Sequence, residues 1–559
     1  MCGIAGIIDY NNYFESTDNL VRNMLLKIRH RGPNQSGIKQ YAKIVLGMNR
    51  LSIIDNKEHD IPYNSIDDKY AIVYNGEIYN YKQIFNNLNN EYKIKLNSDA
   101  EAVLYSYIKY GTKAFKDYNG MYTFAIYDSV AEKVIIARDK TGEKPLYYAC
   151  AHNYFIFSSE AKALLEIIKP EINKNCLTYQ AYEFCAEKET LFKNIYQLEP
   201  GEYIEIDIRK KNFNISSYWK IWDNLYEVND DYSYIKKKLT ELLEDAILLR
   251  TENKIDNHGV LVSGGLDSAI VAAISKPEYI YTCHYDIGPD YDELEYAKIL
   301  ADHLKKELII ITPSPGDFKR TKDKIAYYLD TPCTWTSFSL WMLLERISKD
   351  VKILLSGDGA DELFSGYYRY LLLYHDEQIK QLKSMKQYSY LISQYYGSAV
   401  KRYAKLVNRC ENLMDKNVSN YLIDSIGFYF DKMNDDIIHS MGVTDYYTTM
   451  QVNLQMADRL NMAFSMENRS PFLDYRIVQF AFSIPSKYKI NNGITKYILK
   501  DISRSLIPDV IIDRIDKRGF SAPLNRWFGW DKYGKYDRSA YKNVVFQDWK
   551  TIYGIKGNI

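Results

Sequence analysis

The chain changes its periodicity near residues 210 to 230, and this change constrains the fold more than any single motif. Before it, short alternating apolar segments (Ile4 to Ile8, Lys43 to Met48, Tyr70 to Tyr74, Met121 to Tyr127, Lys133 to Ala137) are separated by Gly, Asn and Asp turns, which predicts a strand-rich unit with a few helices. After it, Tyr234 to Leu249 carries apolar residues at helical spacing. From Gly259 onward strands and helices alternate: Val260 to Val262, Tyr279 to Tyr285, Leu308 to Thr312 and Lys352 to Leu355 are the strands. That alternation predicts a doubly wound parallel sheet. Residues from about 365 to the end show long amphipathic segments and few strand signals, so a helical part packed against that sheet is expected. At 559 residues the chain exceeds what one core supports, and two α/β domains are expected, at 2–210 and 230–545.

Composition excludes several classes of function. Lys plus Arg and Asp plus Glu both number 72, with no basic block, so neither nucleic acid nor an acidic membrane surface is an expected partner. The 53 tyrosines are scattered through every segment and read as background composition. Seven cysteines show no Cys-x-x-Cys pair and no framework spacing, which fits a reducing, cytoplasmic setting without zinc or disulfides. No apolar run reaches the roughly 20 residues of a membrane span, and no secretory segment is legible at the N-terminus.

Cys2 follows the initiator Met, and a side chain this small permits removal of that Met. The result is a thiol beside a free α-amine, whose pKa near 7.7 to 8.0 suits it to act as base for its own nucleophile. Around it stand MCGIAGIID, RHRGPNQSG (Arg29 to Gly37), NRLSIID (Asn49 to Asp55), YNGEIYN (Tyr74 to Asn80) and SDAE (Ser98 to Glu101). These five blocks resemble the class II glutamine amidotransferases. The resemblance implies an N-terminal-nucleophile αββα sandwich in which Cys2 attacks the glutamine amide through a glutamyl thioester. It assigns the Asn75 side chain and the Gly76 N–H to the developing oxyanion, Arg50 to the glutamine carboxylate, and Asp99 with Glu77 to its ammonium. NGMYTFAIYD, ARDKTGEKPLYY and FSSEAKAL, later in this half, read as scaffold, and His30 as structural.

GVLVSGGLDS (Gly259 to Ser268) places a strand, a Ser/Gly turn and a helix start together, so that backbone N–H groups and the helix dipole converge on one point able to hold phosphate. It lacks the Gly-Lys-Ser/Thr of the Walker loop and resembles the loop of enzymes that cleave ATP to AMP and pyrophosphate. Leu261, Ser263, Gly264, Gly265, Leu266, Asp267 and Ser268, with Tyr285 ending the next strand, form the candidate ATP-binding set. A second loop, LLSGDGADELFSGY (Leu354 to Tyr367), adds Ser356 and Gly357 and makes Asp267 and Asp361 candidate Mg²⁺ ligands.

MADRLNMAFSMENRSPFLD (Met456 to Asp474), GITKYILK (Gly493 to Lys500) and DRIDKRGFSAPLNRWF (Asp513 to Phe528) extend the likeness to the asparagine synthetase family, from residue 2 to about 528. The resemblance gives Lys496 a contact to phosphate or to charge at the acyl centre. It sets Arg469 and Asp474 beside the site, as readily structural as functional. Two departures stand out: Asp358 occupies a position where many such synthetases carry a Glu that helps deprotonate the attacking ammonium, and Ser365 stands where Gly is frequent. The resemblance implies a glutamine-dependent asparagine synthetase, with glutamine, MgATP and aspartate as substrates and ammonia passed between domains; dimers are common in the family. The shortened Asp358 leaves a second expectation, amidation of a sugar uronate or a peptide carboxylate by the same chemistry. A non-catalytic regulatory role is disfavoured by the intact Cys2, Arg50, Asn75 and Asp99.

Overall fold

The computed structural model describes residues 2–52, 60–92, 98–176, 179–251, 258–288, 293–381, 397–409, 416–433, 436–515, 521–530 and 539–556. In the first half, the strands are β1 (Cys2–Asp9), β2 (Gln35–Tyr41), β3 (Ile44–Arg50), β4 (Tyr63–Asn64), β5 (Tyr70–Ile78), β6 (Gly120–Asp128), β7 (Lys133–Arg138), β8 (Tyr147–Ala151), β9 (Tyr154–Ser158), β10 (Tyr196–Gln197), β11 (Glu202–Asp207) and β12 (Asn212–Ser217). They build two six-stranded antiparallel sheets, ordered β10-β8-β9-β1-β3-β2 and β12-β11-β7-β6-β5-β4.

Successive side chains of a strand point to opposite faces, and here both faces are buried. Ile4 and Ile8 of β1 join Met48, Val73, Ala125 and Ile136 in the core between the sheets, whereas Ala5 and Ile7 pack outward with Val21, Met24 and Leu25 of the helix Thr17–Lys27. On the second sheet Ile72, Tyr74 and Phe124 face the helix Asp99–Tyr110 through Val103 and Leu104. The layers are therefore helix, sheet, sheet, helix, as the resemblance implied.

In the second half β13 (His258–Leu261), β14 (Tyr279–Cys283), β15 (Leu308–Ile311), β16 (Ile353–Leu355) and β17 (Glu467–Arg469) form one parallel sheet ordered β15-β14-β13-β16-β17. The order reverses between β13 and β16, so the two glycine loops that leave their carboxyl ends open onto one crevice. The region after residue 365 is mainly helical, as expected, and of its few short strands Glu467–Arg469 closes the edge of the parallel sheet. Its sequence, Glu-Asn-Arg, has no apolar residue, and all three side chains are buried. Among the described residues no helix is long and apolar enough to cross a membrane.

Candidate active site

Cys2, the candidate nucleophile, is placed by strand register. β1 runs antiparallel to β3 with Cys2 opposite Arg50, so the thiol and the guanidinium project from cross-strand neighbours. From the facing sheet, Asn75 Oδ1 accepts a hydrogen bond of 2.9 Å from the Cys2 nitrogen. Asn75 thus orients the nitrogen that becomes the α-amine once Met1 is removed, while its Nδ2, 3.5 Å from Thr123 Oγ1, is the donor on the other side of the amide. Gly76 pairs with Tyr122, and a Cβ there would lie 2.3 Å from the Met121 carbonyl oxygen, so β5 approaches β6 as only glycine permits.

Asp99 opens the helix Asp99–Tyr110 behind the cap residue Ser98, whose side chain accepts from the Glu101 N–H. The Asp99 carboxylate accepts from Tyr74 Oη at 2.5 Å, Ile78 N at 3.0 Å and Ala100 N at 3.0 Å. Burial nevertheless holds its pKa above the ordinary carboxylate value. Glu77 is buried beside it, and desolvation, followed by the Asp99 charge, pushes Glu77 up to about 8. Two desolvated carboxyls at one spot suit a bound cation.

A buried ionic cluster joins the two halves. Arg31 donates through Nε to the Cys2 carbonyl at 3.1 Å and grips Asp458 with both terminal nitrogens at 2.8 and 3.1 Å. Glu160 accepts from Arg31 at 2.9 Å, lies 3.0 Å from Arg459 Nη1, and pairs with Lys162. Asp330 pairs with Lys162 at 3.0 Å and with Arg459 at 3.2 Å. His30 contacts Glu160 at 3.0 Å and stands edge-on to Tyr328. Burial and then the Lys162 and Arg31 charges hold its pKa well below the ordinary histidine value.

Arg469 and Asp474 also lie at this junction. Arg469 pairs with Glu467 at 2.6 Å and donates to the Arg250 carbonyl at 2.6 Å. Asp474 accepts from Arg250, Arg476 and, across the junction, Asn119 Nδ2 at 3.0 Å. Burial opposes ionisation of Asp474, but these partners, led by Arg476 and Arg250, hold its pKa down at about 2.

The second centre is a cavity of about 200 Å³ between the loops after β13 and β16. Leu261, Ser263, Gly265, Asp267 and Ser268 line it from the first loop, and Ser356, Gly357, Asp358 and Asp361 from the second. Gly264, with φ +69°, faces away: a Cβ there would meet Tyr296 at 2.7 Å. Leu266 packs into the core, and Tyr285 sits in the apolar cluster with its hydroxyl 2.5 Å from Ser339 Oγ; none of these three lines the cavity. Gly357 lets the loops touch, since its Cβ would stand 2.8 Å from Asp267 Cβ.

Lys496 enters from a residue with φ +53° at the start of the helix Tyr497–Ser503 and lies 2.6 Å from both Asp267 carboxylate oxygens and 2.5 Å from Asp361. Gly366, which motif reading passed over, makes that reach possible. A Cβ there would lie 1.9 Å from Asp361 Oδ1 and 2.2 Å from Lys496 Cε. Asp358 accepts from Ser356 Oγ at 2.7 Å, and burial raises its pKa.

Comparison with known proteins agrees with this arrangement. Residues 1–219 match a family described as a glutamine amidotransferase domain, and residues 238–543 match one described as asparagine synthase. Asparagine synthetase [glutamine-hydrolyzing] 1 of Bacillus subtilis (strain 168) is 28% identical, over 94% of this chain and 88% of its own length. A putative asparagine synthetase [glutamine-hydrolyzing] 2 of Methanocaldococcus jannaschii is 34% identical over 68% of this chain and 78% of its own. A solved structure of the allosteric regulatory enzyme of purine biosynthesis overlaps 56% of this chain and 81% of its own, with a TM-score of 0.32 and 15% identity, too loose a likeness to carry an argument. With a glutamine amidotransferase domain ahead of a synthase domain, the chain belongs to the glutamine-hydrolysing asparagine synthetase family and is an enzyme of that kind.

Proposed function

We propose that the enzyme hydrolyses glutamine at Cys2 and uses the ammonia to amidate an AMP-activated carboxylate, with aspartate as the acceptor and asparagine, AMP and pyrophosphate as products. The observation that carries this reading is the convergence of Lys496, Asp267 and Asp361 at the mouth of a phosphate loop of the pyrophosphate-releasing type.

In the first half-reaction the α-amine of Cys2, held by Asn75, takes the thiol proton, and the sulfur attacks the glutamine amide carbon. Asn75 Nδ2 and the Gly76 N–H stabilise the oxyanion; the amine returns the proton to the departing ammonia, and water then releases glutamate. Arg50 opposes the α-carboxylate of the substrate, and Glu77 with Asp99 takes its ammonium, a cation beside two buried carboxyls.

In the second half-reaction the acceptor carboxylate attacks the α-phosphorus of ATP and expels pyrophosphate. Ammonia then attacks the acyl carbon and AMP leaves. The loop N–H groups and the dipole of the helix Leu266–Ser275 hold phosphate oxygens. Asp267 and Asp361, hard oxygen donors already converging on one cation, fit Mg²⁺, which would neutralise triphosphate charge there. Lys496 would turn from these carboxylates to the phosphates or to the acyl oxygen. Asp358, which lines the same cavity, would take a proton from the attacking nitrogen.

Asp358, one methylene shorter than the Glu of many such synthetases, favours a second reading in which the acceptor is a larger carboxylate such as a uronate or a peptide. Pyrophosphate release measured with ammonia and a panel of carboxylic acids separates the two. A response to aspartate above all other acids supports the first; no response to aspartate overturns it. Cys2→Ala is expected to abolish glutamate release and to leave ammonia-dependent pyrophosphate release intact.

A further inference from the structure

The helix Thr449–Ala463 belongs to the synthetase half, and two of its faces meet different centres. Asn453, Met456, Ala457 and Asn461 line the cavity between the glycine loops. Asp458, turned about 100° around the helix from Ala457, holds the Arg31 fork, and Arg31 in turn donates to the carbonyl of Cys2. Arg31 is fully buried and Asp458 is 2% exposed. Lys144 lies 3.5 Å from the same carboxylate. The carboxylate that fixes the backbone of the nucleophile therefore belongs to the residue directly after Ala457, a wall of the nucleotide cavity.

We infer that Asp458 is a positioning residue for Cys2, through which occupancy of the nucleotide cavity is felt at the glutamine site. A helix moves as a rigid element, so a displacement that ATP imposes on the Met456–Ala457 face is passed to Asp458 in the next residue. A bidentate guanidinium–carboxylate pair transmits direction as well as position, because both bonds must move together. The Arg31 Nε bond ends on the Cys2 carbonyl, one atom from the Cα that carries the thiol and the amine. The geometry tolerates no slack: water does not reach the pair, and an unpaired charge at either end is strongly disfavoured. Burial pushes the Asp458 carboxyl up, but Arg31 and Lys144 more than reverse this and keep it ionised.

The inference rests on the proposed nucleotide site, and the test separates the two. Alkylation of Cys2 by iodoacetamide, followed by peptide mass analysis, is measured with and without MgATP on the full-length enzyme, alongside ammonia-dependent pyrophosphate release. In the parent, MgATP is expected to change the Cys2 alkylation rate by about fivefold or more. In Asp458→Asn, which preserves shape and removes the charge, that response should vanish, and kcat for glutamine hydrolysis should fall about tenfold or more, since small misplacements of a nucleophile are costly. KM for glutamine and ammonia-dependent pyrophosphate release should stay near the parent values. Should Asp458→Asn not accumulate as folded protein, Arg31→Lys, which keeps the charge but loses the fork and the Nε bond, takes its place with the same expected loss of response. A parent enzyme that binds MgATP without any change at Cys2, or a variant that keeps the response, overturns the inference. Failure of the parent to release pyrophosphate with any acceptor would instead overturn the nucleotide-site reading.

Discussion

Lys496 Nζ stands 2.6 Å from each carboxylate oxygen of Asp267 and 2.5 Å from Asp361, so one ammonium bridges the two glycine loops. The loops come from opposite sides of the switch point in the parallel sheet, and each brings a carboxylate to the crevice. Removing the ammonium leaves these like charges facing each other. Lys496→Met is therefore expected to reduce ammonia-dependent pyrophosphate release by about a hundredfold or more, the scale on which loss of one preorganised charge acts. Glutamate release from glutamine should change little. Measuring both products on one preparation decides it, and a proportional fall in both would show that the lysine supports the fold alone.

Gly366 makes a separate case for the same geometry. Because an added Cβ would fall 1.9 Å from Asp361 Oδ1 and 2.2 Å from Lys496 Cε, Gly366→Ala must displace one of the two. The expected outcome is loss of pyrophosphate release comparable to that of Lys496→Met, with glutamine hydrolysis preserved. A variant with near-parental pyrophosphate release would mean that the close approach of Lys496 to Asp361 is not needed for turnover.

The two features just used differ in how far the sequence reveals them. The loops after β13 and β16 are legible because an apolar strand ending in Ser and Gly has few other uses, and Asp267 and Asp361 inherit meaning from those loops. Alternation shows that the first half is strand-rich, and its αββα layering follows from the resemblance carried by the blocks around Cys2, Asn75 and Asp99. What stays hidden depends on long-range pairing. Cys2 meets Arg50 through the β1–β3 register, which no local pattern specifies. The pairing of Arg31, Glu160, Asp330, Asp458 and Arg459 has no local signal along the chain, and only the apposition of the halves buries them together. The strand Glu467–Arg469 leaves no apolar signal because its buried groups are charged or polar, so hydrophobic periodicity is silent there. Tyr285 ends near the right strand terminus, yet its ring turns into the apolar core toward Trp527.

Ser365 has a conformational explanation. It ends the short helix Ala360–Phe364 with φ +60° and ψ +50°, the left-handed conformation that suits glycine. A side chain in that region costs roughly 1 kcal/mol. Ser365→Gly should accordingly raise thermal stability modestly and leave the acceptor preference unchanged, which a melting curve and the carboxylate panel would show. A shift in acceptor preference would mean that Ser365 acts on the substrate and not only on the turn.

Glu77 gives a pH dependence of definite sign. Its carboxyl moves from an ordinary value of 4.5 to about 8 in the folded protein, chiefly because burial disfavours the anion and Asp99 adds to the effect. The folded state thus binds this proton more tightly than the unfolded chain does. The associated stability is fully present below pH 4.5 and is lost as pH rises through about 8. Glu77→Gln cannot ionise and escapes that loss. Its melting temperature should match the parent in acid and exceed it at alkaline pH, by an amount on the order of a few kcal/mol of stability. Function runs the other way, because in the proposed mechanism the ionised carboxylate binds the glutamine ammonium. In the parent, kcat/KM for glutamine should climb with pH toward about 8, the pKa of this group. In Glu77→Gln it should be low and should lose that limb. Melting curves and glutamate-release profiles across the same buffers test both signs at once. Parallel slopes for parent and variant in either measurement would remove Glu77 from the ammonium site.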